Sequence, residues 1–216
     1  MEEDPPVLYD GRTDGRPVPW HNDPNGEALV RDIMEKLKPD RFVETGSHLG
    51  WTDMWMAERY PDLPIWTVEV DPVYARTAAY NLKRYPQVKV VQGNSPAFLR
   101  AFYEEFDRGL TFFFLDAHFW SVVPLREELT LVRSLDRHVT IIDDFYCYNP
   151  DFAGDTFEET ANKAGSLNDH RYLADIVGKR MWRPNYPALP GYKGYGLLWK
   201  GVEYTPPSTM KEDVLP

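Results

Sequence analysis

"RFVETGSHLGWTDMWMAERY", residues 41–60, holds the transition on which the fold turns. A short apolar run, "RFVET" (41–45), gives way to glycines at 46 and 50, and then to "GWTDMWMAERY" (50–60), which has helical character. Glycine there lets the backbone turn sharply and approach other groups closely. A strand feeding a helix through a glycine turn is the first half of a βαβ unit. The same alternation continues downstream. "IWTVEV" (65–70), "VKVV" (88–91), "LTFFFL" (110–115) and "HVTIID" (138–143) read as strands. "PVYARTAAYNLKRY" (72–85), "PAFLRAFYEEF" (96–106) and "PLREELTLVRSL" (124–135) read as the helices between them. Five strands joined by four helices and short loops predict an α/β fold: a doubly wound, mostly parallel sheet with helices on both faces.

Outside this block the pattern is less regular. Asp23 and Pro24 form a cap-and-first-turn pair for a helix that places Leu29, Val30, Ile33 and Leu37 on one face and stops at Lys38–Pro39. Residues 1–22 read as an irregular arm, 23–205 as one domain, 149–192 as a substrate-side insertion, and 206–216 as a flexible tail. The insertion carries helical stretches near 156–164 and 168–178, and "GYGLLWKG" (194–201) reads as a last strand.

The net charge of −10 and pI near 5.0 argue against a phosphate-backbone partner, so no nucleic acid is expected. The one cysteine, Cys147, excludes an internal disulfide and suits a reducing compartment. The start, "MEEDPPV", has neither a basic segment nor an apolar one, and no run approaches a bilayer's span. The expectation is a cytoplasmic protein without a membrane partner.

In a doubly wound sheet ligands sit beyond the carboxyl ends of the strands. After the first strand, the pattern from Glu44 to Gly50 lacks the tight glycine cluster of a pyrophosphate site, and its acid suits a cationic group or a ribose. After the second come Glu69 and Asp71. Asp71–Pro72 is a good cap pair, which leaves Glu69 for a ribose diol. After the third, Asn94 and Ser95 offer polar groups to a base edge, with Ser95 equally suited to capping a helix. After the fourth, "FFFLDAHFW" (112–120) ends in Asp116 and His118; after the fifth, "IIDDFY" presents Asp143 and Asp144. If those strands are neighbours, three carboxylates converge and need a cation or protons. All-oxygen ligation suits Mg²⁺ first among hard ions.

The series "VETGSHLGWT", "TVEVDP", "VQGNS", "FLDAH" and "IIDDF" resembles the class I S-adenosylmethionine-dependent methyltransferases. It is most similar to the divalent-cation-dependent O-methyltransferases of the catechol and macrocin types. The resemblance covers about residues 40–148 and the closing "GLLWKG". It implies a Rossmann-like, seven-stranded sheet, S-adenosyl-L-methionine and Mg²⁺ or another divalent cation as cofactors, and a small-molecule acceptor; homodimers are common in the family. It implies that Glu44, Gly46 and Gly50 line the methionine end of the cofactor, with His48 and Thr52 touching it. Glu69 would hold the ribose and Ser95 would lie beside the adenine. Asp116, Asp143 and Asp144 would be metal ligands, Asp116 also bordering the cofactor and the chemistry. The catechol-type lysine is replaced by Phe119, which leaves His118 as the nearest catalytic base.

A sugar or polyketide-type hydroxyl fits the macrocin resemblance better than a catechol. Phe152, Phe157, Tyr172, Trp182, Tyr186 and Tyr192, with Trp120 and Tyr146, are candidates to stack on it, although core packing is the simpler role for each. The rival readings are a cation-independent methyltransferase and a non-catalytic cofactor-binding module of the same fold.

Overall fold

A computed structural model of the chain describes residues 19–118, 123–145, 170–187 and 194–215. Its strands are β1 (Arg41–Thr45), β2 (Ile65–Glu69), β3 (Val88–Gln92), β4 (Thr111–Leu115), β5 (His138–Ile142), β6 (Arg180–Pro184), β7 (Gly196–Lys200) and β8 (Met210–Val214). Its helices are α1 (Pro24–Leu37), α2 (Trp51–Arg59), α3 (Pro72–Leu82), α4 (Ser95–Ala101), α5 (Tyr103–Phe106), α6 (Leu125–Ser134) and α7 (His170–Val177). The five alternating strands thus fall where the sequence predicts them. The segment expected as one helix over 96–106 is two, because Phe102 leaves helical geometry between α4 and α5.

The strand order is β3-β2-β1-β4-β5-β7-β6-β8. The pairs among β1 to β5 are parallel; β7 runs antiparallel to β5, and β6 pairs antiparallel with both β7 and β8. The winding reverses between β1 and β4, and that is where a crevice opens above the strand ends.

The sheet has eight strands, not seven, and the two that sequence reading missed have one physical cause. β6 and β8 are charged and lie at the far edge of the sheet, so neither shows the apolar run of a central strand. β6 lies inside the stretch read as an insertion, and β8 lies inside the stretch read as a flexible tail. Met210 anchors β8 at 5% exposure, and β8 pairs with β6 from Arg180↔Val214 to Pro184↔Met210. On α7, the buried His170 also meets Asp213 of β8 at 3.1 Å. The helix expected near 168–178 is α7; the one near 156–164 lies outside the described residues.

The alternation of β4 explains its greasy sequence. Phe112 and Phe114 enter the core layer containing Trp20, Ile33 and Met56, under α1 and α2. Phe113 and Leu115 enter the opposite layer with Phe98, Phe106 and Leu129, under α4 to α6. A central strand covered by helices on both faces has no polar side to show. The end of the N-terminal arm is not loose. Pro19–Asn22 forms a 3-10 turn, and Trp20 is 3% exposed, packed edge-on against Trp55 and Phe114. Residues 1–18 lie outside the described residues.

Asp23 caps α1 by accepting from the Asn25 N–H at 2.9 Å, with Pro24 opening the helix. No described helix is long and apolar enough to cross a membrane.

If β8 is an integral strand, Met210→Ala should lower unfolding stability by about 2 kcal/mol in urea melts. A truly frayed tail would leave the midpoint unchanged.

Candidate functional site

The carboxyl ends of β1, β2, β3 and β4 border a cleft of ≈ 200 Å³, with Gly46, Glu69, Asn94, Ser95 and His118 among its lining residues. Gly46 has φ +85, and a Cβ there would lie 2.5 Å from the Asp116 carbonyl oxygen. Only glycine lets the loop after β1 come that near the loop after β4. Gly50, at φ +78, leads into α2 and packs on α3, where its Cβ would lie 2.7 Å from Leu82 Cδ1. It therefore shapes the loop through packing.

Glu69 is held before any ligand arrives. Its Oε2 accepts from the His48 N–H at 2.8 Å and its Oε1 from the Asp71 N–H at 2.9 Å. Each oxygen keeps a second lone pair for a hydroxyl donor in the cleft. Asp71 caps α3 through the N–H groups of Val73 and Tyr74, which is the division of labour the sequence suggested. Asn94, not Ser95, caps α4, by accepting from the Ala97 N–H at 3.2 Å. Ser95 is thereby released from capping; it is 5% exposed and lines the cleft. The His48 side chain is exposed, at φ 47, with its ring 4.5 Å from that of Tyr74. Thr52 is half-buried in the first turn of α2, near Glu44.

Beside the cleft lies a smaller cavity that Asp116, His118, Glu128, Asp143 and Asp144 help to line. Ala117 and His118 line both spaces. Asp116, His118 and Asp144 can each offer one ligand atom, and those atoms lie within 4.8 Å of one another. His118 Nε2 is 3.9 Å from Asp144 Oδ2. Two carboxylates and an imidazole at that spacing suit a divalent cation.

Asp143, expected as a third carboxylate ligand, is not one of that group. It lies in the turn after β5, where its N–H still donates to the Leu115 carbonyl at 3.0 Å, and its charge acts on Tyr195. Asp144 instead adopts φ 51, which breaks the strand's alternation and turns it to the other two.

The aromatics expected at an acceptor site divide. Tyr172 packs on the core layer under α6, and Trp182 packs against the ring of Trp199. The Tyr186 hydroxyl donates to Asp23. Trp120, Tyr146, Phe152, Phe157 and Tyr192 lie outside the described residues.

Sequence reading missed Glu128 and Asp53. Both are fully buried, and neither carboxyl has a hydrogen-bond partner within ordinary geometry. Burial raises the pKa of Glu128 to about 7, against a weaker opposing effect of the Ser95 and Thr45 hydroxyls. Glu128 was hidden because "REELTLV" looks like a solvated helix start. Leu125, Leu129 and Val132 reveal the buried face, and Glu128 adjoins it at helical spacing.

An acid with a raised pKa favours the folded state where it is protonated. Folded Glu128 keeps its proton to about pH 7, whereas an unfolded glutamate loses it near 4.5. Its cost therefore grows as pH rises across that window and then levels, at about 3 kcal/mol. Relative to the parent chain, Glu128→Gln should gain stability as pH rises from 4.5 to 7. Melting curves in EDTA measure it, and a pH-independent difference would refute the assignment.

No family model matches the chain, and no curated protein matches it. Solved structures do resemble it. One is a putative O-methyltransferase from Klebsiella pneumoniae, 21% identical over 83% of this chain and 81% of its own, with a TM-score of 0.57. Another is the O-methyltransferase from Bacillus cereus in complex with SAH, 18% identical over 83% of each chain, also at 0.57. A third is the O-methyltransferase TomG from Streptomyces achromogenes, involved in tomaymycin synthesis and in complex with SAM. It is 18% identical over 79% of this chain and 78% of its own, at 0.55. The chain has the Rossmann-like fold of the S-adenosylmethionine-dependent O-methyltransferases.

Proposed function

We propose that the chain is an S-adenosylmethionine-dependent methyltransferase that methylates a hydroxyl oxygen of a small molecule with the help of a divalent cation. The observation that carries this reading is a juxtaposition: a cleft with a pre-set carboxylate, Glu69, adjoins the Asp116–His118–Asp144 group through Ala117 and His118.

In this reading Glu69 accepts from the ribose hydroxyls, and Asn94 and Ser95 face the adenine. Glu44, Gly46, His48 and Thr52 border the methionyl end, where Gly50 lets the loop close. Asp116 and Asp144 hold the cation, with the charge of Asp143 behind them. A cation held there would supply Lewis acidity that eases deprotonation of an acceptor hydroxyl. His118, exposed at the junction of the two spaces, takes the acceptor's proton. The sulfonium methyl is already activated, so the remaining task of the protein is in-line geometry. A sugar or polyketide-type hydroxyl is the proposed acceptor class.

Labelled S-adenosylmethionine incubated with pools of such hydroxyl compounds, with and without EDTA, tests the reading. Transfer lost in EDTA and restored by Mg²⁺ or Mn²⁺ is expected; undiminished transfer in EDTA would mean that the aspartates are structural.

The roles separate by variant. Asp144→Asn should weaken Mn²⁺ binding at least tenfold in titration calorimetry. His118→Ala should cut turnover about 100-fold or more while Mn²⁺ and S-adenosylhomocysteine still bind. Loss of Mn²⁺ binding in that variant would make His118 a ligand and not a base.

A further inference from the structure

Asp53 sits in the first turn of α2, fully buried, and neither of its oxygens accepts a hydrogen bond of ordinary geometry. What it does meet is another carboxyl group, that of Glu44 at the end of β1. Glu44 is 2% exposed, and its Oε2 also lacks a donor. The Thr52 hydroxyl lies beside Glu44 and that of Thr67 beside Asp53; Thr67 is in turn bonded to Ser47 at 2.5 Å. Among the described residues, the charges that act most strongly on the pair are negative. The further charge facing it is Asp116, from the loop after β4, which repels Glu44.

Two ionised carboxylates in dry contact repel strongly, whereas one proton between them turns repulsion into a charge-assisted hydrogen bond. The position of that proton follows from the surroundings. Asp53 lies in a helix's first turn, where the backbone N–H groups and the helix dipole favour an anion. Glu44 has no such help and feels Asp116. The proton therefore rests on Glu44 and the charge on Asp53. The titration order agrees, since burial lifts Asp53 to about 6 and holds Glu44 well above the usual carboxylate range, with Asp53 and Asp116 adding to it.

We propose that Asp53 is a positioning residue for Glu44: it holds Glu44 through a shared proton, and binding of the cofactor's α-ammonium group beside Glu44 expels that proton. The proposal rests on the reading that Glu44 borders the methionyl end of the cofactor. The O–H bond of Glu44 breaks and its proton passes to solvent. The pair then carries two negative charges, and the incoming ammonium group compensates the second.

Titration calorimetry with S-adenosylhomocysteine tests this on the full chain at pH 7 in EDTA, in phosphate and in Tris. The two buffers differ in ionisation heat, so the difference between them counts protons released. The parent chain should release about one proton per ligand bound. In Asp53→Asn the repelling charge is gone and an amide donor is gained, so Glu44 holds its proton less tightly and binding should persist with proton release clearly below the parent's. Glu44→Gln has no proton to lose and should release none, which serves if the first variant does not fold. Unchanged release in either variant, or binding without release by the parent chain, would overturn the proposal while leaving the cofactor site standing. If the parent chain does not bind the ligand at all, the cofactor reading falls and the proposal with it.

Discussion

The site depends on one close backbone approach. β1 and β4 pair in parallel from Arg41↔Thr111 to Thr45↔Leu115, and the ladder continues one step further, the Asp116 N–H donating to the Thr45 carbonyl at 3.0 Å. At that step Gly46 lies so near the Asp116 carbonyl that no side chain fits between them. The contact sets the height of both loops at the winding reversal. Both spaces draw on residues within two positions of it: Gly46, Ala117 and His118 line the cleft, and Asp116 and His118 belong to the carboxylate–imidazole group. A β-carbon at 46 would push the loops apart and disturb both spaces together, which couples the cleft to the carboxylate–imidazole group through main chain alone.

The buried acids flanking β1 share a logic. Glu44 and Thr45 are neighbours in the strand and so face opposite layers. Glu44 meets Asp53 on the α2 side, while Thr45 lies near Glu128 on the α6 side. Each acid is desolvated and shifted upward, so the floor of the site holds protons that an exposed carboxylate would have shed by neutral pH. The interior beneath the cleft therefore carries less negative charge than its composition suggests.

Legibility in the sequence followed burial. β1, β2, β4 and β5 are buried along their whole length, β3 still shows a β-branched run at the edge away from β8, and the boundaries of all five could be read within a residue or two. β6 and β8 could not, because "RMWRP" and "MKEDV" carry charges and are only partly buried at the β8 end of the sheet. The site divides the same way. Gly46, Glu69, Asp116 and Asp144 follow strand ends, where the topology rule says to look. Asp53 and Glu128 lie within helices whose charged residues resemble an ordinary solvated face; only their packing shows that they are buried. Asp143 and Asp144 looked equivalent as a dipeptide. The left-handed backbone at 144 separates them, and an aspartate tolerates that conformation without advertising it.

The last strand has a bearing on assembly. A sheet that ends in an open strand offers its unpaired backbone groups to any neighbouring chain, and flat apolar edges are the ones that accept. Here the outermost strand carries Lys211, Glu212 and Asp213 in succession, with Arg180 of β6 paired to Glu212 at 2.8 Å and His170 drawing Asp213 inward. A second molecule laid alongside would have to strip water from those charges before forming a single main-chain bond. Along this margin the fold therefore disfavours extension of the sheet by a second chain, whereas the opposite edge strand, β3, carries no such run of charges.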